Sequence, residues 1–219
     1  MKTFLLSCIL ACSAILFHIN HSYAQNAKVH LGIKSGADIM SFATTKSGSH
    51  GPGDTYGYRA GFQGGIYGII HLDSKFEFIP QLLYTQKGAT LSYPVYLSPT
   101  QIANVNLKIR YNYLDVPLLI GYKPLAGLTF MAGPQVAFLL SQKTEGTLAG
   151  GGGNQNISYT TTNGYRKQVI GGNLGVGYSF FKNIGINLHY TFDFQHAEQG
   201  SIDNEEKSAG FALSASYLF

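Results

Sequence analysis

The sequence predicts an all-β fold: an eight-stranded antiparallel up-and-down transmembrane β-barrel with short periplasmic turns and four long extracellular loops. Three observations carry this. Apolar and polar residues alternate with period two in segment after segment, the connectors alternate in length, and charged residues make up only 12% of the chain, against a usual share of about 25%. No segment after the first two dozen residues is long and apolar enough for a transmembrane helix. A chain so poor in charge, yet without long apolar runs, can hold its apolar residues on one side of every strand. A closed barrel in lipid requires that arrangement, because it leaves no backbone group unpaired.

The first segment starts at Lys28 and sets Val29, Leu31, Ile33, Ala37 and Ile39 against His30, Lys34 and Asp38. In the second, Tyr58, Ala60, Phe62, Ile66 and Ile70 oppose Arg59, Gln63, Tyr67 and His71. The third places Phe76, Phe78, Leu82 and Tyr84 opposite Glu77, Gln81, Thr85 and Lys87. The fourth covers residues 112–122, and the fifth carries Leu128, Phe130, Ala132, Val136, Phe138 and Leu140. Ile170, Leu174, Val176 and Tyr178 mark the sixth, opposite Asn173. In the seventh, Ile184, Ile186, Leu188, Tyr190 and Phe192 face away from Asn187, His189, Thr191 and Asp193. The eighth alternates Ala209, Phe211, Leu213, Ala215, Tyr217 and Phe219 with Ser208, Gly210, Ala212, Ser214 and Ser216. Such alternation is the strand period, not the helix period.

Residues 72–75, 123–127 and 181–183 read as tight turns, whereas 43–56, 89–106, 141–165 and 196–207 read as long loops. Long loops on one side and short turns on the other, with an even strand number, is the outer-membrane arrangement. The bulky apolar stripe then faces lipid, because an eight-strand interior is narrow and filled by side chains. Tyr58, Tyr84, Tyr122, Tyr178, Tyr190, Tyr217 and Phe219 are candidates for interfacial girdles. Outer-membrane lipid and lipopolysaccharide are the expected surroundings, and the chain is expected to be monomeric.

The amino terminus predicts export. Lys2 precedes an apolar stretch from Phe4 to Phe17, and Ser22-Tyr23-Ala24 supplies a small-residue cleavage site. Residues 1–24 are therefore expected to be a cleaved signal peptide, with 25–219 forming the barrel domain. Cys8 and Cys12 fall inside the leader, which removes disulfides and thiol catalysis from the mature chain. The balance of 15 Lys and Arg against 11 Asp and Glu lacks the clustered basic face of a nucleic-acid binder.

Residues 112–124, NYLDVPLLIGYKP, resemble the PorT-like "porin family" of outer-membrane β-barrel proteins from the Bacteroidota. The resemblance extends to GIKSGAD in the first strand, FIPQLLYTQKG in the third and MAGPQVAFLL in the fifth. It implies a small barrel of the OmpA/OmpX kind and names no substrate. Tyr217 and Phe219 likewise resemble the carboxy-terminal signal read by the outer-membrane insertion machinery, so deleting Phe219 is expected to impair assembly.

Pro80, Pro117 and Pro134 each remove a ladder donor and predict a shared kinked region of the wall. With Leu114, Val116 and Leu118 facing lipid, Asp115 points inward, near a cation such as Arg59 or Lys87. The same register turns Lys108 and Arg110 outward, where lipopolysaccharide phosphates lie; a bulge between would reverse them, and the sequence leaves both open.

No catalytic, cofactor or metal site is expected. His189 and Asp193 share a face, but two strand steps separate them by roughly 13 Å, too far for a direct bond. A hydrolase set would combine His189 with Ser214 or Ser216 on the adjoining strand; a packed polar lumen is the simpler reading. His71 and Glu77 face each other across the first turn as a rim ion pair. The run 150–153 of glycines reads as a loop tip, and the glycines between 171 and 177 as close packing within a strand. Glu198, Asp203, Glu205 and Glu206 make the fourth loop acidic, read as solvated. The expected role is therefore structural, loop-mediated binding or a narrow pore. The alternatives are an outer-membrane hydrolase using His189 and a soluble lipocalin-like periplasmic carrier.

Overall fold

A computed structural model describes residues 29–43, 55–98, 101–150, 153–197 and 207–219. The leader with Cys8 and Cys12, and the acidic cluster Glu198, Asp203, Glu205 and Glu206, lie outside these residues. The strands are β1 (Val29–Ala43), β2 (Thr55–His71), β3 (Phe76–Ser98), β4 (Gln101–Leu125), β5 (Leu128–Gly150), β6 (Gly153–Thr161), β7 (Gln168–Ser179), β8 (Ile184–Asp193) and β9 (Lys207–Leu218). All pair antiparallel. The sheet runs β4-β3-β2-β1-β9-β8-β7-β5-β6, and a β4–β5 ladder closes it into a ring. The first and last strands meet from Gly32↔Leu218 to Ala43↔Lys207. Eight strands form the wall, as the alternation predicts. The ninth, β6, continues along β5 above the end of its ladder with β7.

Burial follows the predicted faces. Leu31 is 62% exposed and Leu213 57%, while Lys34, Asp38, Gln63, Glu77, Lys87, Asp115, Asn173, His189 and Asp193 are buried. Apolar side chains outside and polar ones inside is the inverse of a water-soluble barrel. Aromatic rings ring the wall at two levels. Phe76, Tyr122, Phe130, Tyr178 and Tyr217 lie near the short turns, and Tyr84, Phe138, Phe192 and Phe211 lie toward the other end. Along β3, Phe76 to Tyr84 spans about 27 Å at ~3.4 Å per residue. A tilt of roughly 40° reduces this to about 20 Å along the membrane normal, close to the ~25 Å apolar band of such barrels.

Two expectations are corrected. The registers around Pro80↔Leu118, Pro117↔Gln135 and Pro134↔Gly172 run through without a shift, so the three prolines do not mark bulges. The shifts lie instead between Tyr58 and Gln63, at Asn112/Tyr113 opposite Leu139–Ser141, and near the ends of two ladders. The segments 89–106 and 141–165, read as loops, are largely strand: β3, β4, β5 and β6 continue well beyond the upper girdle as a protruding sheet. Their own alternation explains this. Leu91, Tyr93 and Val95 on β3 pair with Leu107, Val105 and Ala103 on β4, so a second apolar face extends past the membrane. Among the described residues the wall thus rises highest on the β3–β6 side. Of the glycine run predicted as a tip, Gly150 and Gly153 pair at the end of the β5–β6 ladder, and residues 151–152 lie outside the described residues.

Candidate functional site

Inside the wall the inward residues meet in four levels. At the short-turn end, Glu77 on β3 accepts from Lys123 at 2.9 Å and contacts His71 Nδ1 at 2.9 Å. The rim pair His71–Glu77 predicted across the first turn is present, with Lys123 joining it. Just above lies a gap of about 60 Å³ bordered by Lys34, Tyr67, Gln81, Asn187 and Ser216, room for about two waters.

The second level is one directed hydrogen-bond relay. Lys34 Nζ donates to Gln81 Oε1 at 3.1 Å and lies 2.9 Å from His189 Nε2. Asn173 Oδ1 beside Nδ1 can only accept, so the imidazole carries its proton on Nδ1 and Nε2 accepts from Lys34. The Nδ1–H donates to Asn173 Oδ1 at 2.8 Å. Asn173 Nδ2 in turn reaches Gln135 Oε1 at 3.2 Å and Thr191 Oγ1 at 3.3 Å. Gln135 Nε2 donates to Asp115 Oδ2 at 3.2 Å. Each amide has one acceptor and one donor end, and here every end points the same way along the relay.

The relay finishes on a charge cluster. Lys87, 0% exposed, donates to Asp193 Oδ1 at 2.9 Å and lies 3.7 Å from Asp115 Oδ2. Its ammonium also stands 5.1 Å from the centre of the Tyr113 ring, a cation–π contact. Asp38 lies within electrostatic reach of Lys87, Asp115 and Arg59. Of the two cations predicted beside Asp115, Lys87 is the one that reaches it.

Above the charges the lumen turns apolar. Phe42, Ala89, Tyr111, Tyr113, Ala137, Leu139, Val169 and Ala197 pack together, with Tyr56, Ile109 and Tyr165 against them. Tyr111 touches Phe42, Tyr113 and Tyr165 at ring separations of 6.0, 6.1 and 5.5 Å. This aromatic plug was not legible in the sequence as one feature. Its members come from β1, β2, β3, β4, β5, β7 and the segments after β6 and β8.

Glycine makes the relay possible. Gly175 on β7 faces His189 on β8, and a Cβ there would lie 2.5 Å from His189 Nδ1. Gly175→Ala is therefore expected to push the imidazole off Asn173 and cost about 1–3 kcal/mol. Urea unfolding of the folded barrel measures this; an unchanged midpoint would contradict the packing described.

The hydrolase set does not assemble. Both ring nitrogens of His189 are engaged by Lys34 and Asn173, and Asp193 is held by Lys87. Ser214 donates to the Asn187 carbonyl and Ser216 to that of Gly185. Among the described residues no group of His, Cys, Asp and Glu is placed to hold a metal ion.

On the outer surface the register settles Lys108 and Arg110. Burial alternates along β4 without a break through Tyr111, Tyr113 and Asp115, so both cations point outward. The shift on β5 at Leu140 switches that strand's faces, which places Lys143 and Glu145 outward beside them.

Residues 23–197 match the family model "Outer membrane protein beta-barrel domain". The chain belongs to this family. It is an outer-membrane β-barrel, with its apolar belt in lipid. Among solved structures it is similar to Ail, the attachment invasion locus protein of Yersinia pestis, at 11% identity over 88% of this chain and 99% of that one (TM-score 0.44). Neisserial surface protein A gives 14% identity over 89% and 100% (TM-score 0.40). OprG from Pseudomonas aeruginosa gives 13% over 88% and 97% (TM-score 0.40). No curated protein matches the sequence. The lipocalin-like carrier is set aside by the family and by the exposed apolar belt.

Proposed function

We propose that this outer-membrane barrel is non-enzymatic and non-conducting, and that it works through the sheet it raises above the membrane. The observation that carries this is the filled lumen: a polar relay below, a buried ion cluster in the middle and an aromatic plug above. The inward side chains are packed against one another and buried, and an eight-strand interior is narrow enough for them to fill. The strands that extend furthest, β3 to β6, offer surface instead of a channel.

Planar-bilayer recording tests the reading. Reconstituted protein is expected to give no stepwise conductance, and resolved single-channel steps would overturn it. The engaged nitrogens of His189 support the non-enzymatic part. His189→Ala is expected to change stability and leave any lipid- or peptide-hydrolysing activity of the preparation unaltered; loss of such an activity would contradict it.

Residues 1–24 are proposed as a leader removed before Gln25, which amino-terminal sequencing of the membrane-extracted protein checks. PorT-like membership within the family is proposed on the motif at 112–124. The proposed partners are outer-membrane lipid and lipopolysaccharide around a monomer, and the insertion machinery through β9, whose Tyr217 and Phe219 are exposed.

A further inference from the structure

Above the upper girdle the outward faces of β3 to β6 carry side chains in aligned rows. One row runs Thr90, Lys108, Glu145, Ser158, and the row nearer the membrane runs Gly88, Arg110, Lys143, Thr160. Ser92, which donates to Asn106 at 2.8 Å, begins the next row up. The upper two of these rows line an open groove of about 550 Å³.

The charges in these rows do not balance. Arg110 on β4 is directly opposite Lys143 on β5, and both point outward. Like charges directly opposite destabilise a sheet. The one acid in the two rows, Glu145, is bonded to Lys143 and opposite Lys108, leaving three cations against one carboxylate. The hydrogen bond from Lys143 and then its charge hold the Glu145 carboxyl below the usual range, and Arg110 and Lys108 add to the effect. A facing cation pair of this kind is relieved by an anion between its members.

Height above the bilayer selects the anion. Leu114 shares the level of Tyr84 and Phe138 in the upper girdle, and Arg110 is one β4 face-repeat beyond Asn112 on the same side. That places Arg110 about 13 Å further along the strand, or roughly 10 Å along the normal, just outside the hydrocarbon. Phosphates of the surrounding outer leaflet occupy that depth. Hydroxyl neighbours such as Thr90, Ser158 and Thr160 suit the sugars to which those phosphates are attached.

We propose that Lys108, Arg110 and Lys143 form a docking site for the phosphate groups of lipopolysaccharide in the adjacent outer leaflet. This rests on the outer-membrane orientation with β3–β6 raised outside the cell. The test uses the full folded chain in detergent, titrated with phosphorylated lipid A or the same lipid dephosphorylated, and read by native mass spectrometry. The phosphorylated lipid is expected to bind at least about tenfold more tightly, and the Arg110→Gln/Lys143→Gln double variant to lose about tenfold or more of that affinity. Rising salt should weaken the wild type more than the variant.

Equal binding of the dephosphorylated lipid, or an unaffected double variant, would overturn the site. Inorganic polyphosphate binding as tightly as the lipid would overturn the choice of a membrane source. Heat-modifiable migration and outer-membrane fractionation of both proteins keep the two failures apart. A variant that inserts normally and still retains lipid sinks the site alone, whereas absence of the wild type from the outer membrane sinks the reading beneath it.

Discussion

Lys87→Met is expected to destabilise the barrel by about 3–5 kcal/mol, among the largest effects available from one side chain in this lumen. The lysine is fully buried and answers Asp193 at 2.9 Å and Asp115 at 3.7 Å, with Asp38 close by. Removing the ammonium leaves carboxylates facing one another where water does not reach. A methionine fills most of the space, so the loss is electrostatic rather than a cavity. Carrying Asp115→Asn and Asp193→Asn in the same chain should recover much of the stability, because a neutral cluster no longer needs the cation. Urea unfolding of vesicle-inserted protein measures both variants. If the single variant unfolds at the wild-type midpoint, Lys87 does not hold this level of the lumen together.

Leu213→Arg tests the other face. Leu213 is more than half exposed on β9, between the level of Tyr217 near the short turns and that of Phe211 above. In water an exposed Leu→Arg change is close to neutral. In lipid an arginine near the mid-plane of a barrel wall costs about 2–4 kcal/mol. The variant should therefore unfold at a clearly lower urea concentration in vesicles, while Leu213→Ala changes far less. Equal stability of the arginine variant and the wild type would mean that this face does not contact hydrocarbon.

These two residues mark what could be read early and what could not. Leu213 lies on a stripe visible in the linear order of residues, because the two-residue pleat sends alternate side chains to opposite faces whatever the partners are. That Lys87 points inward is legible in the same way. Its partners are not, since Asp193 is separated from it by 106 positions and arrives only through the closure of β8 against β7 and β9. Sequence spacing offers His189 as a catalytic candidate because it shows residue types without their neighbours. Its actual neighbours are Lys34, on β1, and Asn173, on β7.

The outer surface repeats the lesson at Lys108 and Arg110. Their own strand carries an unbroken alternation, but the neighbouring β5 switches faces at Leu140. No local signal at Leu140 distinguishes a bulge from regular strand. The prolines, which do carry a local signal, turned out to sit in continuous register. Strands β3 to β6 above the girdle were hidden for a different reason: Ser, Thr, Asn and Gly dominate their outward faces, and this loop-like composition masked the alternation of Leu91, Val105 and Leu148 beneath it.

The fold class, the eight-strand wall and the lipid-facing stripe are all legible in the linear order of residues, because they rest on local periodicity and on connector length. The tertiary structure alone decided which inward groups meet in the lumen, how far β3 to β6 rise, and that Arg110 and Lys143 stand side by side. Those depend on the register between strands far apart in the chain. Register is set by the packing of the whole ring at once, and no single segment contains it.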